Sequence, residues 1–176
     1  PHFMFNALNS LSYLVSKDPA RAEEFIQSLA EVYRYILGSK EKDLVLLSDE
    51  IAFMQAYARL MSLRYEDAFV IDLQVDESLL GQYLIPPVTL MVAVENAIKH
   101  NEVSATHQLV LEVRLRGDAM VLRNRKMARK VPRVSTRIGL ENLNQRFQRL
   151  TGRAISYIST KDTFTLEMPL LRLRAV

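Results

Sequence analysis

Three short stretches of this 176-residue chain hold side chains that could do chemistry. The first opens the sequence, where His2, Asn6, Asn9 and Tyr13 recur at helical spacing and therefore share one polar helix face. A solvent-facing imidazole near its ordinary pKa is a competent nucleophile at neutral pH. No second histidine or carboxylate follows three or four residues after His2, so the pattern favours nucleophilic chemistry over metal binding.

The second stretch lies on a predicted apolar helix and carries two polar pairs. Glu95 and Lys99 are four residues apart, as are Asn96 and His100, so two polar stripes project side by side. A carboxylate beside an amide oxygen suits hydrated Mg²⁺, which needs only one or two protein oxygens, and the lysine would meet phosphate charge. The alternative is a routine surface salt bridge. The apolar run that precedes the pairs favours a site embedded in a buried element.

The third stretch, Ile138, Gly139 and Leu140, stands where a helix is predicted to begin. A glycine at this point lets backbone N–H groups approach an anion, and a helix N-terminus favours negative charge. Taken alone, the stretch is equally typical of an ordinary helix start. The anion-site interpretation is favoured only when this stretch is considered together with the first two stretches.

The first stretch belongs to a predicted helical hairpin over residues 1–42. An apolar stripe repeats at steps of four, three and four residues in each of two helices, with Asp18-Pro19 as the cap between them and Gly38 as the stop. Because a hairpin of this kind cannot bury its stripes alone, we expect it to pair with a second copy in a four-helix bundle. The stripes are Met4, Leu8, Leu11 and Val15, then Phe25, Leu29, Val32 and Ile36.

Residues 43–176 mix helices with antiparallel hairpins and predict an α+β sandwich with a mixed, largely antiparallel sheet and helices on one face. The predicted elements are a helix capped by Ser48 and ending near Arg64, a strand over 68–75, a helix from Pro86-Pro87 to His100, strands over 108–116 and 119–123 joined at Gly117-Asp118, a helix over 139–150, and strands over 154–160 and 163–170.

Composition removes several classes of protein. The absence of cysteine excludes a disulfide scaffold, a thiolate zinc site and cysteine catalysis, and it fits a reducing compartment. No apolar run reaches the roughly 18 residues of a membrane span. The chain opens on Pro1, so we expect it to be a fragment, with any membrane segments upstream of it.

The net charge of +3 hides a one-sided distribution. Residues 123–176 hold 13 basic and three acidic side chains, and seven of the basic ones fall within 123–137 with no acid among them. Such a stretch should lie beside a polyanion, and the candidates are phosphates, an acidic protein partner and nucleic acid. Nucleic acid ranks last among the candidates, because the aromatic side chains that single-strand binders interleave are absent there.

In combination, the three stretches resemble the boxes of one family. Pro-His-Phe-x-Phe-Asn-x-Leu-Asn at the start resembles the phosphoacceptor box of the LytS-like sensor histidine kinases. Ile-Pro-Pro-Val-Thr-Leu followed by Val-Glu-Asn-Ala-Ile-Lys-His is similar to the N box of the GHKL ATPase superfamily. Ile-Gly-Leu-Glu-Asn-Leu-x-x-Arg-Phe resembles that superfamily's second glycine box. The resemblance spans residues 1–147.

The resemblance implies a homodimeric, cytoplasmic kinase core of a membrane sensor, with a dimerisation and phosphotransfer hairpin at 1–42 and a GHKL ATP-binding domain at 43–176. It implies ATP and Mg²⁺ as cofactors, His2 as phosphoacceptor, and a response regulator, often of LytTR type, as the next acceptor. Glu95 would orient or deprotonate the imidazole, and Asn96 would hold Mg²⁺. The implied nucleotide contacts are Asn96, Lys99, His100, Asn124, Lys126, Ile138, Gly139 and Leu140.

One box of the family is altered. Asn124 stands where an aspartate should accept from the adenine amino group, and both glycines of the Asp-x-Gly-x-Gly pattern are missing. Either basic side chains replace the lost backbone contacts with phosphate, or nucleotide affinity is weakened or lost and the chain signals as a dimeric scaffold. Retention of His2, Glu95, Asn96 and Gly139 favours the first. The candidate basic side chains are Arg125, Lys126, Arg129 and Lys130.

Overall fold

The computed structural model describes residues 2–127 and 138–173, and only the backbone of His2, Phe3 and Ile138. Helices α1 (His2–Lys17) and α2 (Pro19–Ser39) form the predicted hairpin. Asp18 caps α2 by accepting from the Arg21 N–H at 3.2 Å, with Pro19 in the first turn. The helix passes the predicted stop at Gly38 and ends one residue later.

Helix α3 (Leu47–Arg64) corrects one expectation at its start. Ser48 is not its cap, because the N-cap position is Leu46, which makes no side-chain capping bond. Val45–Leu46 forms strand β1, paired antiparallel with β3 (Tyr83–Ile85), so the chain enters the helix directly from a strand. Backbone pairing therefore sets the helix start.

The main sheet is mixed and largely antiparallel, as the sequence predicted. Its five strands stand in the order β2-β4-β5-β7-β6, and only the β2–β4 pair is parallel. Strand β5 runs two residues beyond its predicted end because its pairing with β7 continues to Arg125 and Thr163. The strands are β2 (Phe69–Gln74), β4 (Leu109–Arg116), β5 (Ala119–Arg125), β6 (Ser156–Ser159) and β7 (Thr163–Pro169).

Two features were not predicted, and both are short. A three-stranded sheet joins β1, β3 and β8 (Leu171–Arg172), and helix α4 (Glu77–Leu80) fills one turn before β3. Segments of two to four residues are too short for a periodic pattern to reveal.

The core is shared between the hairpin and the sheet layer. Phe25 and Val32 of α2 are fully buried, and α2 packs along α3, which in turn packs on β2 and on α5 (Thr89–His100). Helix α6 (Ile138–Thr151) packs on α5 and buries Phe147. Within the described residues, no helix combines the length and apolar character that a membrane crossing requires.

Candidate functional site

Helix α5 has one buried face and one polar face. Leu90, Ala93, Val94 and Ala97 are buried, whereas Glu95 and His100 are exposed and Asn96 and Lys99 are half-buried. The polar pairs therefore project from the surface of a packed helix. This corrects the expectation that they are embedded inside it.

A cavity of about 500 Å³ opens beside this polar face, between α5, α6 and the edge of the main sheet. Its volume is in the range of small-molecule sites. Five residues that the sequence assigned to cofactor binding line it, and they come from three separate stretches of the chain: Asn96, His100, Asn124, Lys126 and Leu140. The remaining lining residues are Asn101, Met127, Tyr157, Ser159, Lys161 and Phe164.

Asn124 lies at the buried end of β5. It continues the inward-facing alternation of Met120 and Leu122 and is only 2% exposed. Its Nδ2 donates to the Arg125 carbonyl at 2.7 Å, which leaves Oδ1 as the atom able to accept from a ligand. The residue can thus offer one acceptor to the cavity.

Lys126 is held by the neighbouring strand rather than directed at open space. Its Nζ donates to Ser159 Oγ at 2.6 Å and to the Thr160 carbonyl, and its backbone N–H donates to the Asp162 carbonyl. The ammonium group ties the end of β5 to the β6–β7 turn. A contact with phosphate would require this group to exchange partners.

Glu95 has a partner that sequence reasoning missed. The buried Tyr57 hydroxyl on α3 donates to Glu95 Oε1 at 3.0 Å. Burial and the nearby carboxylate raise the pKa of the Tyr57 hydroxyl, so it remains a donor at neutral pH. The bond orients a carboxylate that is otherwise exposed to solvent.

Asn101 and an aromatic pair complete the cavity wall. Asn101 donates to the Ala97 carbonyl and accepts from the Met127 N–H, both at 2.7 Å, and so joins the end of α5 to the chain leaving β5. Tyr157 and Phe164 stack at 5.8 Å on β6 and β7. Phe164 is the register partner of Asn124, a proximity that only strand pairing creates.

Not every predicted site residue lines this cavity. Among the described residues, Glu95, Lys99 and Gly139 adjoin lining residues in sequence but are not part of the lining. The side chains of His2 and Ile138, and the whole of Arg129 and Lys130, lie outside the part of the chain that the structure describes.

The polar face of α1 lines a different space. Asn6, Asn9 and Tyr13 border a groove of about 650 Å³ between the hairpin and the end of α3. Exposed ion pairs join the two sides, Lys17 with Glu66 at 3.5 Å and Arg21 with Asp67 at 3.2 Å. The polar face of α1, which carries the predicted phosphoacceptor His2, and the α5 cavity are therefore separate features of the chain.

Comparison with known proteins relates this chain to the histidine kinases. The histidine kinase family model matches residues 1–69. The sensor protein LytS of Staphylococcus saprophyticus is 35% identical over 100 residues, covering 57% of this chain and 17% of its own length. The sensor histidine kinase BtsS of Escherichia coli is 31% identical over 124 residues, covering 69% of this chain and 22% of its own.

A solved structure shows the same fold. The cytoplasmic segment of histidine kinase QseC matches with a TM-score of 0.52 at 12% identity, covering 85% of this chain and 95% of that one. The family model and the match to BtsS, which covers 69% of this chain at 31% identity, place the chain among the histidine kinases, whereas the solved structure shows the fold alone. The curated relatives narrow this class, and the chain belongs with the LytS-like sensor histidine kinases. It spans about a fifth of the length of these relatives.

The geometry at Asn124 predicts a pH-dependent loss of stability in Asn124→Asp. The change removes the amide donor to the Arg125 carbonyl and buries a carboxylate against it, at a cost of about 1–3 kcal/mol. Burial raises the pKa of the introduced carboxyl. The loss is therefore largest at pH 7 and shrinks as acid protonates the group. Urea unfolding at pH 7 and at pH 5 measures it.

The matched control is Asn144→Asp on α6. Asn144 uses its side-chain oxygen to accept from the Ile155 N–H at 3.0 Å, a bond that an aspartate keeps. We expect a much smaller loss there. Equal losses at the two positions would contradict the donor role of Asn124.

Proposed function

We propose that this chain is the kinase core of a two-component sensor histidine kinase, which binds ATP and Mg²⁺, phosphorylates His2 and passes the phosphoryl group to an aspartate of a response regulator. The observation that carries the proposal is the convergence of five residues, from three separated sequence stretches, on one cavity of about 500 Å³. A cavity, the polar face of α5 beside it and a family match point to the same chemistry.

The residues present fit a nucleotide. Asn124 Oδ1 offers an acceptor for an adenine amino group at the buried end, and Tyr157, Phe164 and Leu140 offer apolar and aromatic surface for a base. The Asn96 side-chain oxygen is the ligand type that Mg²⁺ prefers. The mixture of apolar walls and a few placed polar groups is typical of cofactor sites.

Each functional residue then has a physical task. When bound, ATP supplies the γ-phosphoryl group and Mg²⁺ neutralises phosphate charge. The His2 imidazole is the nucleophile, Glu95 accepts or orders its proton, and Tyr57 holds the Glu95 carboxylate in place. Lys99 supplies positive charge beside the phosphates, and the α6 start at Gly139 offers backbone N–H groups.

Transfer in this account requires motion or a second copy. The described residues of the polar face of α1, which also carries His2, border the groove at α3, and none of them lines the α5 cavity. His2 and the cavity must therefore meet through movement of the hairpin or across a dimer. Phosphoryl transfer depends on such positioning more than on covalent chemistry by the protein.

A dimer has support in the apolar surface of α1. Met4, Phe5, Leu8 and Val15 are each between 45% and 65% exposed, although they are large apolar side chains on one helix. Exposed apolar patches of this kind mark interaction surfaces. We propose that a second copy covers them in a four-helix bundle.

The wider setting follows from the same family. We propose a response regulator as the protein partner, and the resemblance favours one of LytTR type. The kinase core would lie on the cytoplasmic side of a sensor whose membrane segments belong to other parts of the full protein. Binding to nucleic acid is not expected.

A second candidate, a scaffold with weak or no nucleotide binding, is favoured by one observation. Lys126 stands in the altered glycine box, and its ammonium is already hydrogen-bonded to Ser159 and Thr160. It is therefore less available to replace the lost backbone contacts with phosphate. In that case the hairpin would transmit signals without phosphotransfer.

The phosphotransfer proposal predicts that His2→Ala abolishes label from γ-labelled ATP. The missing imidazole removes the nucleophile, so the wild-type chain should give an acid-labile, base-stable phosphoprotein and the variant none. His107→Ala, at an exposed histidine in the loop between α5 and β4, is the control and should label as wild type does. Equal labelling of His2→Ala and wild type would refute the assignment.

The dimer proposal predicts that Leu8→Glu shifts the chain to monomer in sedimentation velocity. A charge at a half-exposed apolar position on α1 must be desolvated if a second helix covers it. Ile158→Glu, at a more exposed apolar position on the edge strand β6, should leave the assembly unchanged. A wild-type monomer at tens of micromolar, or identical profiles for both variants, would count against the bundle.

A further inference from the structure

The start of α5 lacks a cap of its own. Its N-cap residue, Val88, has left-handed backbone (φ 65°) and makes no side-chain capping bond. A β-branched residue rarely adopts this conformation without support from its surroundings. The backbone N–H groups of the first turn also need partners, since the segment is largely buried.

Glu50 of α3 supplies that cap from another helix. Its side chain is completely buried, Oε1 accepts from the Leu90 N–H at 2.8 Å, and Oε2 accepts from the Val88 N–H at 3.0 Å. A carboxylate at this position also meets the positive end of the helix dipole. Burial raises the pKa of the Glu50 carboxyl, and the hydrogen bonds from Tyr35 and from the Leu90 and Val88 N–H groups oppose that rise, so the buried group is satisfied by α5.

Two further helices meet at the same point. The Tyr35 hydroxyl of α2 donates to Glu50 Oε2, and its ring stacks on Phe53 of α3 at 4.1 Å. Arg146 of α6 donates to the Pro87 carbonyl at 2.7 Å, immediately before α5 begins. The hairpin, α3 and α6 are therefore all attached to the first turn of α5.

The cavity makes this attachment consequential. Its two helical walls are α5, through Asn96, and α6, through Leu140. Asn96 lies about two turns beyond Leu90, so a tilt of the first turn moves its side chain relative to α6. Arg146 lies on the same α6 helix as Leu140, so the same junction fixes both walls.

We propose that Glu50 is a positioning residue for nucleotide binding. Its carboxyl group fixes α5 so that Asn96 faces the cavity, and its hydrogen bond from Tyr35 makes the position of α5 depend on the position of the hairpin. The inference rests on the proposed nucleotide site. It goes beyond that site, because Glu50 does not line the cavity and acts through α5.

The test compares Glu50→Gln with Asp49→Asn, its exposed neighbour in the same turn. Both replace a carboxyl group with an amide, but only Glu50→Gln puts an NH2 group, which cannot accept, in place of one of the two oxygens that accept from the Val88 and Leu90 N–H groups. We expect amide hydrogen exchange in α5 to quicken about tenfold in Glu50→Gln, and affinity for Mg²⁺ with a non-hydrolysable ATP analogue to weaken about tenfold. Asp49→Asn should match wild type in both.

Tyr35→Phe tests the link to the hairpin without removing the cap, and it serves if Glu50→Gln does not fold. It deletes one hydroxyl bond to Glu50, so we expect smaller changes, about two- to fivefold, confined to α5 and to nucleotide affinity. Tyr65→Phe, at the end of α3, is the matched control and should change neither.

The outcomes separate the possible failures. Faster exchange spread evenly over the chain, with unchanged affinity in the folded protein, would mean that Glu50 only stabilises the fold and would overturn the proposal. Unchanged exchange and affinity in Tyr35→Phe would overturn the hairpin link. If wild type binds no nucleotide, the proposed function fails, while the exchange measurement still decides whether Glu50 holds α5.

Discussion

The hydrogen bonds between the buried Glu50 carboxylate and the first turn of α5 are the contact on which the rest of the site depends. They satisfy backbone groups that the left-handed Val88 leaves without a local cap. They also place the Glu50 carboxyl group where four helices meet, because Tyr35 adds α2 and Arg146 adds α6 to the junction of α3 and α5. The apolar face of α5 packs on β4 and α3. Fixing the first turn of α5 therefore also fixes the direction in which its polar face points.

Along that face the residues divide by task. Asn96 and His100 line the cavity, whereas Glu95 accepts a hydrogen bond from the Tyr57 hydroxyl of α3. Tyr57 and Glu50 are seven residues apart on α3 and therefore lie on the same side of that helix. One helix thus holds both the start of α5 and its exposed carboxylate, which gives α3 a positioning role although it contributes no residue to the cavity lining.

Much of this arrangement could be predicted, and the exceptions have physical causes. Periodicity revealed α1 and α2, because each repeats its apolar stripe over three turns or more, whereas Pro86-Pro87 and the apolar run before the polar pairs indicated α5. The strands β1, β3 and β8 are too short to show a periodic pattern. The predicted cap at Ser48 was wrong because strand pairing of Val45–Leu46 sets the start of α3. Family motifs located Asn96, Asn124 and Leu140. Tyr157, Phe164 and the Lys126–Ser159 bond arise from strand pairing between distant segments, which sequence spacing does not encode.

The central claim is that the cavity between α5, α6 and the sheet edge binds Mg²⁺ and ATP, despite the altered glycine box. Calorimetric titration of the chain with a non-hydrolysable ATP analogue and Mg²⁺ tests it most directly. The account predicts saturable binding to wild type, weakened at least about tenfold in Asn96→Ala and unchanged in Gln148→Ala, an exposed amide on α6. No binding to wild type, or equal binding to both variants, would contradict it.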